Sequence, residues 1–320
     1  MTIKEIGGEF EMLSRLTRQY PQAPGLVKGI GDDCAVLDYN EEQYLLVTTD
    51  MMVENDHFSM KWQSPQQIGK KLVESNVSDI VCKGGNPGFA FLSMCLPKSV
   101  TYEFMEDFYA GVYHAAERHN VILAGGDTTH GDIFVFNLAL TGLVKKDSLK
   151  LRSGARIGDA ICVTGELGGS TAGLKLLLHG KNGFLNDYLE PLCRTADEGA
   201  TIAKYATATI DVSDGLGSEV THICEQSRVS AVIDYAAIPL SPATISSGSL
   251  LGLDPHDFAL YGGEDYEIVF TITEKSIPEL KKEFDDFRVV GKILDPAEGI
   301  HIFRDGKKFP VKKGYDHFSL

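Results

Sequence analysis

Carboxylates recur along this chain in the company of Gly, Ser and Thr, several of them directly after a short apolar run. They are Gly31-Asp32-Asp33, Thr48-Thr49-Asp50, Ser78-Asp79, Gly125-Gly126-Asp127, Asp211-Val212-Ser213-Asp214-Gly215 and Gly262-Gly263-Glu264-Asp265. A hard cation such as Mg²⁺ takes oxygen ligands in tight octahedral geometry and keeps several waters. Carboxylates on small-residue loops at strand ends meet that need, because small neighbours leave room for water and phosphate. Thr48, Thr49 and Ser213 offer further hydroxyl or carbonyl oxygens. One cluster alone reads more readily as a helix cap or turn; Asp214-Gly215 ahead of a helix is a cap candidate, and Asp305-Gly306 is a plain turn. Their recurrence is harder to dismiss, since four or more carboxylates gathered without a cation repel one another strongly. The chemistry indicated is metal held against phosphate groups.

Familiar phosphate-binding devices are missing. There is no G-x-x-x-x-G-K-[ST] loop and no protein-kinase set of Gly-rich loop, H-R-D and D-F-G. Gly165-Glu166-Leu167-Gly168-Gly169-Ser170 follows a strand and opens a helix, a place where a phosphate can sit, although a packing turn is the better reading. The nine His residues form no zinc spacing, and only His57, close behind Asp50, stands near an acidic cluster.

Short apolar runs alternating with helical patterns must position these residues, which is the mark of an α/β or α+β protein. The pattern predicts a helix over Glu9 to Tyr20, stopped by Pro21, and a strand over Tyr44 to Thr48 running into Asp50. Ser64-Pro65-Gln66-Gln67 is a capping box with Pro in the first turn. It opens a helix carrying Ile68, Leu72, Val73, Val77 and Ile80 and ending before Gly84-Gly85. Asp79 then sits near the C-terminal end of that helix, where the dipole disfavours a carboxylate and a cation would offset the cost. A helix from Tyr102 to His119 follows, then strands at Val121 to Ala124 and Ile133 to Val144 with Gly125-Gly126-Asp127 between them; the second strand reads as buried on both faces.

The texture turns polar, basic and turn-rich near Lys145 to Gly158, which places a domain boundary there and divides the chain into 1–147 and 148–320. In the second half strands are predicted at Ala160 to Thr164, Thr209 to Val212, Ala231 to Asp234, Tyr266 to Ile272 and Arg288 to Leu294. Helices are predicted at Ser170 to His179, Thr195 to Ala206, Leu216 to Gln226 and Ile277 to Phe284, with a hairpin turn at Arg304-Asp305-Gly306-Lys307. The segment 180–200 and the region directly after Pro239 carry no functional assignment. No low-complexity segment or repeat of 20 to 50 residues interrupts the chain.

Hydrophobic residues make up 43% and charged residues 23% of the 320 positions, as in globular proteins. A formal net charge of -15 argues against nucleic acid or an anionic membrane as partner, though not against a phosphorylated substrate, because bound cations reverse the local sign. The six cysteines form no C-x-x-C pair and several lie in apolar runs, as in Phe91 to Leu96, so they read as reduced and buried. The N-terminus has acids where a signal peptide needs a basic region, and the longest apolar run is too short to span a bilayer. A cytoplasmic protein is expected.

The acidic clusters, with two further motifs, resemble a known family. Gly29-Ile30-Gly31-Asp32-Asp33, Thr48-Thr49-Asp50, Asn76-Val77-Ser78-Asp79, Gly125-Gly126-Asp127, Arg152-Ser153-Gly154-Ala155, Asp211 to Gly215, Gly262 to Tyr266 and the terminal Gly314-Tyr315-Asp316-His317-Phe318 fall in the order and spacing of thiamine-monophosphate kinases. The likeness covers nearly the whole chain. Aminoimidazole ribonucleotide synthetase, selenophosphate synthetase and a hydrogenase-maturation enzyme belong to the wider superfamily. The first thirty residues hold no Cys, which disfavours the selenophosphate enzyme, and the ending His-Phe-Ser-Leu lacks the Cys of the hydrogenase relative.

The resemblance implies a two-domain aminoimidazole ribonucleotide synthetase-like fold, with N-terminal sheets pairing into a β-barrel across a homodimer and ATP as co-substrate in the interdomain cleft. It implies that Asp33, Thr48, Thr49, Asp50, Asp79, Asp127, Asp211 and Asp214 surround several Mg²⁺ ions, with Asp50, Asp127 and Asp214 central to catalysis. Tyr109, Gly126, Asp127, Arg152 and Ser213 would contact the nucleotide, and His57, Glu264 and Tyr315 would face thiamine monophosphate. The alternatives are another ATP-dependent superfamily member that activates a carbonyl or amide oxygen, or a non-catalytic nucleotide or divalent-ion binder.

Overall fold

A computed structural model of the chain describes residues 2–6, 8–17, 23–312 and 314. The first half contributes helices α1 (Ile3–Ile6), α2 (Glu9–Thr17), α3 (Pro65–Cys82) and α4 (Tyr102–Arg118). Its strands are β1 (Leu26–Lys28), β2 (Ala35–Asp38), β3 (Gln43–Val53), β4 (Asn86–Pro97), β5 (Ile122–Gly131) and β6 (Val135–Lys145). They form one open sheet in the order β1-β2-β3-β6-β4-β5, with only β4 and β5 parallel.

The start of α3 is locally encoded. Ser64 Oγ accepts from Gln67 N at 3.2 Å while Gln67 Oε1 accepts from Ser64 N at 3.0 Å, and Pro65 occupies the first turn. α3 is buried along most of its length and packs against α4. The crossing is close enough to require glycine: a Cβ on Gly111 would lie 1.9 Å from the Gln66 carbonyl oxygen.

In the second half the helices are α5 (Gly169–Leu178), α6 (Asn186–Leu189), α7 (Ala196–Ala203), α8 (Leu216–Ser227), α9 (Pro242–Leu251), α10 (Pro255–Tyr261) and α11 (Ile277–Glu283). The strands β7 (Ala160–Thr164), β8 (Ala206–Asp211), β9 (Ser230–Asp234), β10 (Ile268–Ile272), β11 (Phe287–Leu294), β12 (His301–Arg304) and β13 (Lys307–Pro310) form a second sheet, ordered β13-β12-β9-β11-β7-β10-β8. Both faces of this sheet are covered. Ala160 and Cys162 join the core that extends from the first half, while Ile161 and Val163 pack with Leu216, Val220 and Ile223 of α8 in a separate core. A mixed α/β fold with two sheets results.

Several expectations need correction. β6 is buried on one face only: Phe136, Leu138, Leu140 and Val144 are buried, and the residues between them are partly exposed. Gly125-Gly126-Asp127 does not separate two strands but lies within β5, which pairs with β4 as far as Gly131 past a bulge at Ala90/Phe91. β3 likewise continues through Asp50 to Val53. Tyr266 is outside the strand predicted there, because its φ of 51° is left-handed. The helix after Thr195 stops at Ala203, where β8 takes over from Ala206. The first helical segment is described to Thr17, and the rest of the predicted span lies outside the described residues. The region after Pro239 holds α9 and α10. No closed barrel forms among the described residues, since the first sheet ends at β1 and β5.

The hairpin turn between β12 and β13 is as expected, with Asp305 and Gly306 both at positive φ, 51° and 75°. None of the described helices is long and apolar enough to cross a membrane.

Candidate active site

α3 forms the seam between the halves. Lys71, Glu74, Ser78 and Lys83 project from it toward the second half at roughly helical spacing and are all buried. Ser78 Oγ donates to Asp211 Oδ2 at 2.6 Å, at the end of β8. The Glu74 carboxylate accepts from the Cys193 backbone N at 2.9 Å and pairs with Arg118 at 2.8 Å and His119 at 3.0 Å. Glu74, His119 and Cys193 together offer metal-ligand atoms, but the guanidinium on the same carboxylate makes the group a clasp between the halves.

Lys83 anchors the acidic cluster. Its Nζ, wholly buried at the end of α3, lies 2.5 Å from Asp33 Oδ2, 2.9 Å from Asp32 Oδ1 and 2.7 Å from the Thr209 carbonyl. Arg152 approaches Asp33 Oδ1 from the other side, with Nε at 2.9 Å. Burial opposes ionisation of Asp33, yet Lys83 and Arg152 hold its carboxyl well below the usual range. Truncating Lys83 would leave the buried Asp32 carboxylate without its ammonium and Asp33 with Arg152 alone. Lys83→Met should therefore destabilise the fold by ~3–5 kcal/mol, a drop in Tm on the order of 5–10 °C, measurable by calorimetry; an unchanged Tm would refute this account.

Next to Asp33 the other predicted ligands converge. Thr48 Oγ1 donates to Asp79 Oδ2 at 2.5 Å and contacts the Asp33 carbonyl at 3.2 Å. Asn76 Oδ1 accepts from Asp50 N at 3.0 Å, fixing β3 against α3. Burial, reinforced by Asp50, Asp211 and Asp33, pushes the Asp79 carboxyl well above its ordinary value. Burial likewise raises Asp50, and burial with the nearby Asp33 raises Asp211 to about 7. Glu219, which accepts from Asp214 N at 2.8 Å, is raised by burial and then by Asp214 and Asp211. Carboxyls that resist ionisation because they are buried and, after that, because they face one another form a donor set that a hard cation would relieve. Asp33, Asp211 and Cys82 also bring potential ligand atoms within 4.8 Å of one another.

Beside this cluster a cleft of about 710 Å³ opens between the halves. Asp50, His57, Ser213, Asp214 and Glu264, all predicted site residues, line it. The Gly262-Gly263 segment is seated directly on the Asp211–Asp214 loop: Glu264 N donates to Ser213 O at 3.0 Å, and a Cβ on Gly263 would sit 1.8 Å from that oxygen. Asp214 does not cap α8; the N-cap position is Gly215, without a side-chain bond. Asp265 serves the N-terminus of α5 instead, accepting from Gly168 N at 2.7 Å and Ser170 N at 3.3 Å. The glycine-rich turn at 165–170 thus receives an internal carboxylate where a phosphate was considered.

Not every predicted residue joins the cluster. Thr49 points to the opposite face of β3, where Asn137 donates to it at 2.9 Å. Gly126 and Asp127 lie on β5, separated from β3 by β6 and β4, a span of about 14 Å at ordinary strand spacing. In register Asp127 aligns with Ser93, Asn137 and Met51 on the outer face, whereas Asp50 aligns with the inner-face residues Leu138 and Leu92. Tyr109 is partly buried on α4 beside Phe108 and Tyr113. Tyr315 lies outside the described residues.

The sequence pattern of the AIR synthase related protein N-terminal domain matches residues 31–144. A thiamine-monophosphate kinase of Buchnera aphidicola is 36% identical over 97% of this chain and 99% of its own length. That of Aquifex aeolicus is 34% identical over 99% and 100%. The chain belongs to the thiamine-monophosphate kinase family. A solved structure of a family member, described as AaThiL complexed with AMPPCP and TMP, is 33% identical, covers 99% of both chains and superposes with a TM-score of 0.87.

Within this kinase fold, several site-forming residues were missed by the motif reading. Lys83 could have been noticed as a cation following the apolar Ile80-Val81-Cys82 run, directly before Gly84-Gly85. Tyr188, Leu253, Phe258 and Tyr261 line the cleft from the two segments left unassigned; only their aromatic and aliphatic character marks them, and that does not separate a cleft wall from a core.

Proposed function

We propose that this chain transfers the γ-phosphoryl group of ATP to thiamine monophosphate, giving thiamine diphosphate and ADP by direct in-line displacement. The observation that carries this reading is the convergence of Asp33, Asp50, Asp79 and Asp211 beside a cleft that also presents His57 and Glu264. It agrees with the family relative whose structure holds an ATP analogue. The acceptor is a phosphate monoester, with a second pKa of about 6. Its oxygen is therefore already anionic at neutral pH, and no catalytic base is needed. A new bond forms from that oxygen to the γ-phosphorus, the β–γ bridging bond breaks, and ADP leaves with the electron pair.

The acids are assigned as cation holders. Asp33, Thr48, Asp50, Asp79, Asp211 and Asp214 fit several Mg²⁺ ions, which when bound neutralise the approach of two polyanions. Arg152, which pairs with Asp33, and Ser213, on the cleft wall, are assigned to the nucleotide phosphates, the former as a fixed positive charge. The halves 1–147 and 148–320 act as the two walls of the cleft.

A second copy of the chain is the proposed partner of the first sheet. Met51, Phe89, Phe91 and Ile122 are exposed on its outer face, an apolar patch that pairing into a barrel would cover. Asp127 and Thr49 belong to that face and Gly126 to the edge strand β5, separated from β3 by two strands, so none joins Asp50 of its own chain. Their roles are then played at the partner's cleft.

The purified protein incubated with ATP, MgCl₂ and thiamine monophosphate should form thiamine diphosphate one-for-one with ADP, read by chromatography. Release of free phosphate instead would indicate a carbonyl-activating relative, and ATP bound but unconsumed would indicate a binder.

A further inference from the structure

Lys71 is one of the largest fully buried side chains, yet no motif draws attention to it. Its Nζ lies 2.5 Å from Glu264 Oε1, donates to the His57 carbonyl at 2.9 Å and sits 5.2 Å from the centroid of the Tyr188 ring. These three partners come from three separate segments: the loop after β3, α6, and the turn before β10. All three line the 710 Å³ cleft, whereas Lys71 stands behind them.

Glu264 needs such an anchor. Its φ of 65° is left-handed, as is that of Tyr266 at 51°, a conformation non-glycine residues adopt only when their surroundings enforce it. Its carboxylate also forms part of the wall between the cleft and a neighbouring acidic pocket of about 630 Å³. Among the described residues, the side chain's one hydrogen-bond partner besides Lys71 is Ser170 Oγ, at 3.5 Å from Oε2. A carboxylate at that boundary has two acidic cavities to turn into, and the Lys71 ammonium fixes Oε1 on one side.

We propose that Lys71 is a positioning residue for the phosphoryl acceptor: from α3 it locks Glu264, the His57 loop and Tyr188 into one surface for a cationic heteroaromatic phosphate ester. The inference rests on the reading of the cleft given under Proposed function. The ammonium balances Glu264 in the ligand-free protein, and Oε2 remains to face the acceptor's ring cation. Because α3 belongs to the first half and Glu264 to the second, the same contact sets the separation of the cleft walls at the acceptor end.

The test is steady-state kinetics on Lys71→Met, Lys71→Arg, Glu264→Gln and the Lys71→Met/Glu264→Gln double variant, each with its Tm. Lys71→Met should raise KM for thiamine monophosphate on the order of tenfold and leave KM for ATP within about twofold. Lys71→Arg, which keeps the charge, should recover part of that loss. In the Glu264→Gln background Lys71→Met should add less than about twofold, since the two act as one unit. The double variant buries no unpaired charge and keeps the comparison available where Lys71→Met folds poorly. The proposal fails if both KM values are unmoved while only Tm falls, or if Lys71→Met has its full effect without Glu264. Wild-type turnover in the same assay reports on the kinase reading separately: an inactive wild type would remove that reading, whereas an active wild type with an unaltered Lys71→Met would remove this one alone.

Discussion

Asp50→Asn is expected to lower kcat on the order of 10²–10³-fold and to raise the Mg²⁺ concentration needed for half-maximal activity. Asp50 reaches the cluster from β3, its backbone held by Asn76, so amidation removes charge without disturbing the strand. The loss follows from the missing charge that should oppose a cation held between phosphates, which makes it sensitive to added metal. Raising MgCl₂ should recover part of the rate. A general-base role for Asp50 predicts a different result, a rate that no concentration of metal restores, because the proton acceptor would be gone. Normal activity at ordinary Mg²⁺ would remove Asp50 from the metal set altogether.

Mixing two inactive variants should restore activity. Asp50 and Asp127 lie on opposite faces of one sheet with two strands between them, so a site that uses both draws them from different subunits. In a hybrid of Asp50→Asn and Asp127→Asn chains, one of the two sites then receives both intact residues and the other neither. Random reassortment makes about half the dimers hybrid, so the mixture should reach roughly a quarter of wild-type turnover, as two-fold symmetry requires. Each variant alone should remain near its own low rate. The measurement is activity after mild denaturation and joint refolding, compared with separately refolded controls. No gain on mixing, with hybrids demonstrated by mass, would mean that Asp127 acts within its own chain or not at all.

Local signals carried much of the fold. Ser64 to Gln67 encode the start of α3 through bonds between neighbours in the chain, and the Asp305-Gly306 turn needs only positive φ at two residues that tolerate it. Where the motif reading went astray, distant contacts overrode local preference. Gly125-Gly126 looked like a loop, but parallel pairing with β4 carries the strand straight through it. Ile133 to Val144 looked buried on both sides because its outer-face residues are small or apolar, yet alternation leaves that face partly exposed. α9 and α10 were not foreseen, and their cleft-lining residues have the composition of any core.

For the site, residue type and order were sufficient to name the acids and the family, because chemistry that needs several oxygen ligands leaves carboxylates at recognisable places along the chain. Type and order were not sufficient to say which acids meet. That depends on strand register, where a step of one residue reverses the face a side chain occupies, and it separates Asp50 from Thr49 and Asp127. Nor could they reveal Lys71 and Lys83, whose importance lies in being buried against Glu264, Asp32 and Asp33 from far along the chain. An ammonium on a helix is ordinarily solvated; only tertiary packing removes it from water and makes its partners' positions depend on it.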